Sequence, residues 1–575
     1  MNKNQTPMNG AQALIRCLEN KGVECIFGYP GGAAIPIFDA LVDSKIKLIL
    51  VRHEQGAVHM ADGYARSTGK PGIVLVTSGP GATNTITGLF TALMDSSPII
   101  VLAGQVPTFG LGKDLFQEAD VFGMTAPAVK HSYLVKDANS IPRIIEEAYY
   151  ICSTGRPGPI FIDLPKDVTS GPCRSDIFEN IKMELPGYKI PGAGNLEKIK
   201  EMAKLLKQAR RPLLLIGNGV IIAGATKEVT ELARKLKAPA VTTILGKGGM
   251  DETDELCLGF LGMHGTAYAN KAVGRCDLIM SIGSRWDDRI TPAKIARFCP
   301  DAKKLHIDID SAEINKVVVP DVSVIGDAKQ VLQELIKLVV ACDSEEWLEE
   351  VQSNRKKFPL SYKIHGGLKP QQVIDELYKI TKGDAIVSVD VGQHQMWAAQ
   401  FYKTAQPRSW ICSGGAGTMG FGLPAAIGAQ IARPKDRVIC ICGDGGFQMT
   451  LFELSTIMIN KLPVKIVIID NKYLGMVRQW QELFYDNRKS GVGLEGNPDF
   501  VKLAEAYGMQ AYRIRRPVDV RKTLQKAMDF DGPCLIHAEV IKEDNVFPMI
   551  PAGGTVHEMI LKAPSNAMEK PVGST

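Results

Sequence analysis

A chain of 575 residues is several times the usual size of one domain, and its hydrophobic and charged shares of 45% and 22% are those of ordinary globular protein. A single small module, a coiled coil and a disordered tail are therefore excluded. The 67 basic and 62 acidic residues leave a net charge of +5 with no long Lys/Arg run, so the basic stripe of a nucleic-acid binder or anionic-membrane binder is missing, and no stretch reaches the ~20 apolar residues of a membrane span.

The opening Met-Asn-Lys-Asn-Gln-Thr-Pro has no apolar signal core, so a cytoplasmic protein is expected. Short runs rich in Val, Ile and Leu then alternate with helical patterns and glycine-marked turns, the pattern of parallel α/β units. A strand over 47–51 leads through Arg52-His53-Glu54 into a helix reaching residue 66. Another, over 72–77, leads into Gly79-Pro80-Gly81, a helix and a further strand over 98–103. A strand over 212–217 opens a middle unit. Late in the chain a strand over 437–442 runs into Gly443-Asp444-Gly445, a helix over about 449–459 and a strand over 464–469 that ends at Asp470-Asn471.

From the first glycine of each turn to the next strand-opening proline is 19 residues in one case and 20 in the other. The first and third units therefore read as related copies flanking a different middle one. Interruptions at 172–194 and 343–369 divide the chain into 1–185, 186–365 and 366–545, followed by a Pro- and Gly-rich arm over 546–575. The expected fold class is α/β, with three doubly wound parallel-sheet domains. The 12 cysteines stand mostly alone among apolar residues and read as reduced, buried thiols. Cys440 and Cys442, the one close pair, are expected in the core on opposite faces of their strand.

Asp444 and Asn471 end two strands of one βαβ unit, which brings both to one sheet edge. A carboxylate, an amide oxygen and a loop carbonyl make a hard oxygen half-shell suited to Mg²⁺, completed by phosphate oxygens and water. Gly445 and Gly446 let backbone N–H groups approach those phosphates at a helix N-terminus. A Gly-Asp-Gly turn alone is more often a capped turn. The longer run Gly443-Asp-Gly-Gly-Phe447 through Asn471, with Lys-Tyr-Leu-Gly-Met-Val-Arg-Gln-Trp480 after it, resembles the metal and diphosphate motif of thiamine-diphosphate enzymes. From about residue 9 to about 560 the chain is similar to the catalytic subunits of biosynthetic acetohydroxyacid (acetolactate) synthases.

That resemblance implies a set of roles. Asp444, Asn471 and the carbonyl of Tyr473 would hold Mg²⁺, although Asp470 stands where the family usually has Asn. Gly392, Gln393, His394, Gly417, Gly443, Gly445, Gly446 and Met476 would line thiamine diphosphate. Glu54, otherwise an ordinary dipole partner in a first helical turn, would stabilise the imino tautomer of the cofactor through N1′. Met419, in Gly414-Gly-Ala-Gly-Thr-Met-Gly420, would bend the cofactor over its own C2. Because Glu54 and the metal motif lie on different units, the cofactor must bridge two of them. In the family these come from different subunits, so a homodimer or homotetramer with an intersubunit active site is implied.

The implied reaction decarboxylates pyruvate and condenses the resulting carbanion or enamine with a second pyruvate or with 2-oxobutyrate, the first common step of branched-chain amino acid biosynthesis. Gly32, Gln117 and Lys130 resemble family residues near the reacting carbonyl, Arg289 the residue that engages the acceptor carboxylate, and Trp480 the one that favours 2-oxobutyrate. Arg156, Gly217, Asn218, Gly219, Thr243, Leu245, Leu261, Gly262, Met263 and His264 look like contacts to FAD. So do Gly283, Arg285, Asp287, Arg289, Asp308, Ile309, Glu313, Gly326 and Asp327, and since the condensation moves no net electrons, that flavin has a non-redox role. A small regulatory subunit is also implied. The competing readings are a flavin-linked 2-oxo acid oxidase of the same plan, a catabolic acetolactate synthase and a nucleotide-binding scaffold without catalysis.

Overall fold

The computed structural model describes residues 8–174, 176–179 and 181–562. Its strands build three parallel sheets, each of six strands. The first holds β1 (Cys25–Gly28), β2 (Lys47–Leu50), β3 (Gly72–Val76), β4 (Ile99–Gln105), β5 (His131–Leu134) and β6 (Ile160–Pro165), in the order β2-β1-β3-β4-β6-β5. The middle sheet holds β7 (Pro212–Ile216), β8 (Ala240–Thr242), β9 (Cys257–Phe260), β10 (Leu278–Ile282), β11 (Lys303–Asp308) and β12 (Val322–Ile325). The third holds β13 (Ile386–Val389), β14 (Trp410–Cys412), β15 (Val438–Gly443), β16 (Lys465–Asp470), β17 (Gln510–Ile514) and β18 (Cys534–Glu539). Its order, β14-β13-β15-β16-β18-β17, repeats that of the first sheet strand for strand.

The internal repeat is thus a repeat of fold, with Gly79-Pro80-Gly81 and Gly443-Asp444-Gly445 each following the third strand of a sheet. The middle sheet differs: its order β12-β11-β10-β7-β8-β9 places the first and fourth strands side by side at the centre, the arrangement that opens a dinucleotide-sized crevice at the strands' carboxyl ends. Central strands such as β4 and β15 are buried along their whole length because helices cover both faces, which is why they read as unbroken apolar runs.

The first and third units share one apolar core. Its seam is the pair of helices Glu54–Thr68 and Gly422–Ala432, which touch backbone to backbone: a Cβ added at Gly63 or Gly428 would lie under 3.0 Å from the carbonyl oxygen of Ala425 or Met60. The helix expected over 449–459 is broken into Asp444–Gln448 and Leu454–Ile459. Tertiary ties impose the break. The Thr450 hydroxyl donates to the Gly420 carbonyl at 3.0 Å, and the buried Glu453 carboxylate accepts the N–H groups of Arg52 and His53, both at 3.1 Å.

All twelve cysteines are buried and unpaired. Cys440 and Cys442 correct the expectation of opposite faces: side chains two apart on a strand share a face, and both enter the core shared with the first unit while Ile439 and Ile441 face the other side. The expected arm over 546–575 lies outside the described residues from 563 onward. Its described part is pinned to the body, with Ile550 N donating to Met263 O at 2.7 Å and Met549 bridging Ile560. Among the described residues no helix is long and apolar enough to cross a membrane.

Candidate active site

Strands β13, β15 and β16 deliver their carboxyl ends to one edge of the third sheet, at the point where the strand order reverses. Register pairs Gly443 with Ile469, so Asp444 stands beside Asp470 and Asn471. Here a cavity of about 660 Å³ opens. Asp444, Asn471 and Tyr473 line it, as do Gly392, Gln393, His394, Gly417, Met419, Gly443, Gly445, Gly446 and Met476. Arg289 and Trp480 lie on its wall with Leu261, Met263 and His264.

The local chemistry calls for a cation and an anion. Asp444 is 1% exposed, and burial together with neighbouring Asp470 pushes its carboxyl up to about 8. Asn497 reaches between the two, donating to Asp444 Oδ2 at 2.7 Å and to Asp470 Oδ1 at 3.3 Å. Asn471 Oδ1 accepts from Tyr473 N at 3.1 Å, which turns the loop so that the two residues flank Asp444. This all-oxygen set fits a hard divalent cation. Asp470, the departure from the family pattern, is answered by His537, whose Nε2 lies 2.8 Å from Asp470 Oδ2.

His394 is 6% exposed, its Nε2 has no partner, and burial pushes the imidazole down to about 3, so it is neutral at working pH. A Cβ at Gly392 or Gly443 would collide with that ring, which explains glycine at both positions. The unpartnered ring nitrogen lies in the first turn of the helix that begins at Gln393, and the free N–H groups of that helix N-terminus suit a diphosphate. Gln393 itself accepts from Asn471 Nδ2 at 3.1 Å and donates to Gln479 Oε1 at 2.8 Å, so the two halves of the motif hold one another.

No residue of the first unit lines this cavity: every lining position falls between Thr243 and Trp480. Glu54 lies instead at the carboxyl edge of the first sheet, where Asn84 Nδ2 donates to its Oε2 at 3.0 Å. Thr77 there packs against Gly31 and Gly81, and Gly79, at φ 56°, lets the backbone of Gln117 approach. Gln117 itself takes a left-handed φ of 61°, and Gly32 is exposed with open space above it. Glu54, Gly32 and Gln117 are therefore brought together, apart from the cavity. Lys130 is not with them. Its ammonium donates to Ile151 O at 2.6 Å, Thr154 O at 2.7 Å and the Tyr188 hydroxyl at 2.8 Å, which consumes all three of its protons in packing.

A second cavity of about 320 Å³ opens at the centre of the middle sheet, between the ends of β7 and β10. Arg156, Asn218, Gly219, Gly283, Arg285, Asp308, Ile309, Glu313 and Asp327 line it. Thr243, Leu245 and Asp287 border both cavities, so the two adjoin. Paired arginines and acidic strand ends at a topological switch point fit an elongated dinucleotide. Gly217, Gly262 and Gly326 line neither cavity; each is packed against backbone carbonyls, where a side chain would collide.

Comparison with known proteins gives the family. Residues 8–124 match the thiamine pyrophosphate enzyme N-terminal TPP binding domain, 199–335 the central domain and 390–538 the C-terminal TPP binding domain. A probable acetolactate synthase large subunit of Methanocaldococcus jannaschii is 47% identical over 96% of this chain and 95% of its own. The acetolactate synthase large subunit of Haemophilus influenzae is 45% identical over 97% and 99%, and the acetolactate synthase isozyme 3 large subunit of Escherichia coli 44% over 96% and 98%. The chain belongs to the thiamine pyrophosphate enzymes and, within them, to the acetolactate synthase large-subunit family.

Spacing gave no sign of Asn497, Asp390 or Asp95. Asp390 is 1% exposed and accepts the N–H groups of Gly420 at 3.1 Å and Gly422 at 2.9 Å, while Asp95, of the first unit, accepts those of Gly414 at 3.0 Å and Gly415 at 2.7 Å. The loop that carries Met419 is thus strung between two buried carboxylates.

Proposed function

We propose that thiamine pyrophosphate occupies the larger cavity across two copies of the chain, and that the reaction joins pyruvate to a second 2-oxo acid. One observation carries this reading. The metal and diphosphate residues line a cavity to which the first unit adds nothing, while Glu54, Gly32 and Gln117 sit on a separate edge near the exposed Phe109, Phe116, Phe122 and Met124. A two-fold axis that lays this edge over the partner's cavity completes both sites at once, so a homodimer is the smallest active form and a homotetramer pairs two of them.

Thiamine pyrophosphate, when bound, would supply the carbon nucleophile for joining pyruvate, with loss of carbon dioxide, to pyruvate or 2-oxobutyrate. Asp444, Asn471 and the Tyr473 carbonyl would hold Mg²⁺ against its diphosphate, and Gly392, Gln393, His394, Gly443, Gly445 and Gly446 would receive the phosphate oxygens. Glu54 holds the activating proton at N1′. The Gly32 N–H and the Gln117 amide meet developing oxyanion charge. Arg289 pairs with the acceptor carboxylate through its planar guanidinium, and Trp480 favours 2-oxobutyrate as the acceptor over a second pyruvate. Met419 and Met476 give the apolar wall on which the cofactor rests.

The second cavity takes FAD in a non-redox role. A small regulatory subunit and a cytoplasmic location complete the reading, the former supported by relatives named as large subunits. The test incubates purified protein with pyruvate, Mg²⁺ and thiamine pyrophosphate and omits each in turn. Acetolactate should form only when all are present, and Glu54→Gln should slow it by roughly 10²–10⁴-fold. Trp480→Leu should lower the ratio of acetohydroxybutyrate to acetolactate. Oxidised product in air with no acetolactate under anaerobic conditions would overturn the assignment in favour of an oxidase.

A further inference from the structure

The helix Ile86–Asp95 of the first unit borders the second cavity and holds a loop that lines the first. Its final turn, Met94-Asp95-Ser96, lines the second. Its side chains grip the loop that lines the first: besides the two Asp95 bonds to Gly414 and Gly415, the Thr91 and Thr418 hydroxyls meet at 2.7 Å, one residue from Met419. Asp95 is buried, and every polar atom of its carboxylate is engaged, because Arg66 Nη2 also donates to its Oδ2 at 2.9 Å. Arg66 is fixed in turn by Asp62 and by the Cys412 carbonyl at 2.7 Å. From the middle unit, Asn218 Nδ2 donates to the Asp95 backbone carbonyl at 3.1 Å. Asp95 is thus a residue at which all three units meet.

We propose that Asp95 is a positioning residue that couples the two cavities, so that filling the second fixes the loop carrying Met419 and tightens cofactor binding in the first. The proposal rests on the reading of the two cavities as sites for FAD and thiamine pyrophosphate. It gives a non-redox ligand a physical task. A ligand packed against Met94-Asp95-Ser96, Asn218 and Arg285 stops this helix end from shifting, and with it the backbone N–H groups of Gly414 and Gly415. Gly415 reinforces the link, since a Cβ there would meet both Arg285 and Asp95 within 3.0 Å, so the loop and the second cavity's wall share one packed layer. Binding free energies being reciprocal, each ligand must tighten the other by the same factor.

The test titrates the full-length protein with thiamine pyrophosphate and Mg²⁺ by calorimetry, with and without saturating FAD, and titrates FAD by quenching of flavin fluorescence, with and without the thiamine ligand. In the parent both ratios should agree at roughly fivefold or more. In Asp95→Asn both should fall below about twofold while each ligand still binds. Arg66 lines neither cavity, and Arg66→Lys, which loses the fork on Asp62 that aims Nη2 at Asp95, should reduce the ratio as well and serves if Asp95→Asn does not fold. Asp390→Asn loosens the other end of the same loop without touching the second cavity, so it should weaken thiamine binding equally with and without FAD and leave the ratio intact. A parent that binds both ligands independently, or an Asp95→Asn protein that keeps the parent ratio, overturns the coupling alone. A parent that binds no FAD overturns the flavin assignment and the coupling with it.

Discussion

Replacing Gly63 by alanine sets two effects of opposite sign against each other. On an isolated helix the change stabilises by about 1 kcal/mol, because glycine is the poorer helix former. In this protein the added Cβ would fall under 3.0 Å from the Ala425 carbonyl oxygen, a backbone atom that cannot rotate aside. Relief requires the two helices to part by about 1 Å, a gap at which packed atoms forfeit a quarter to a half of their attraction. That gap would run along the seam where Ala57, Met60, Ala61 and Tyr64 meet Phe421, Ala425 and Ala426, all buried in one core. Against rigid backbone atoms the overpacking falls at the upper end of roughly 1–3 kcal/mol, so after the propensity gain of about 1 kcal/mol the net loss is about 2 kcal/mol. Thermal unfolding followed by circular dichroism should show a melting temperature lower by about 1–2 degrees, because the unfolding entropy scales with all 575 residues. Gly428→Ala, which meets the Met60 carbonyl, should behave alike, and the double variant should lose less than the sum, since one parting of the helices serves both. A Gly63→Ala protein that melts at or above the parent temperature refutes this account of the seam.

Lys247 and Glu252, 1% and 5% exposed, form a buried ion pair at 2.6 Å that also ties Ala399 O and Thr404 N of the third unit. Lys247→Met should cost roughly 3–5 kcal/mol in denaturant unfolding, and adding Glu252→Gln should recover part of it. Burial pushes the His59 imidazole down from 6.5 to about 3, so the unfolded chain binds this proton more readily and the stability present above pH 6.5 is lost as pH falls toward 3, by up to about 1.4 kcal/mol per unit. His59→Gln should flatten the fall in melting temperature between pH 6.5 and 5. A divalent cation must displace the proton that burial and Asp470 hold on Asp444 up to about pH 8, so Mg²⁺ affinity measured by calorimetry should rise as much as tenfold per unit between pH 6 and 8, and Asp444→Asn should remove both the binding and the slope.

The candidate metal set was legible because its residues sit at strand ends. Asp444 and Asn471 follow two adjacent parallel strands, and any right-handed βαβ unit brings such positions to one edge. Glu54 was legible for the same reason, as the residue that opens a helix after β2. The packing of Lys130 was not legible, because sequence neighbours do not reveal that a side chain's donors are already engaged by three acceptors. Asp95 carried no signal at all, since the N–H it accepts from Gly415 lies 320 positions away.

By itself the sequence determined the α/β class, the strand ends and glycine turns that carry the diphosphate chemistry, and the kinship of the first and third units. Period, apolar runs and turn residues are local properties, and parallel sheets translate them directly into position. Only the tertiary structure decided that the middle sheet reverses order at its centre, that Glu54 stands apart from the cavity it is proposed to serve, and that Asp95 and Asp390 hold the Met419 loop from two sides. Those outcomes depend on which buried polar groups find partners across units, and burial strongly favours such pairing without leaving a trace in local composition.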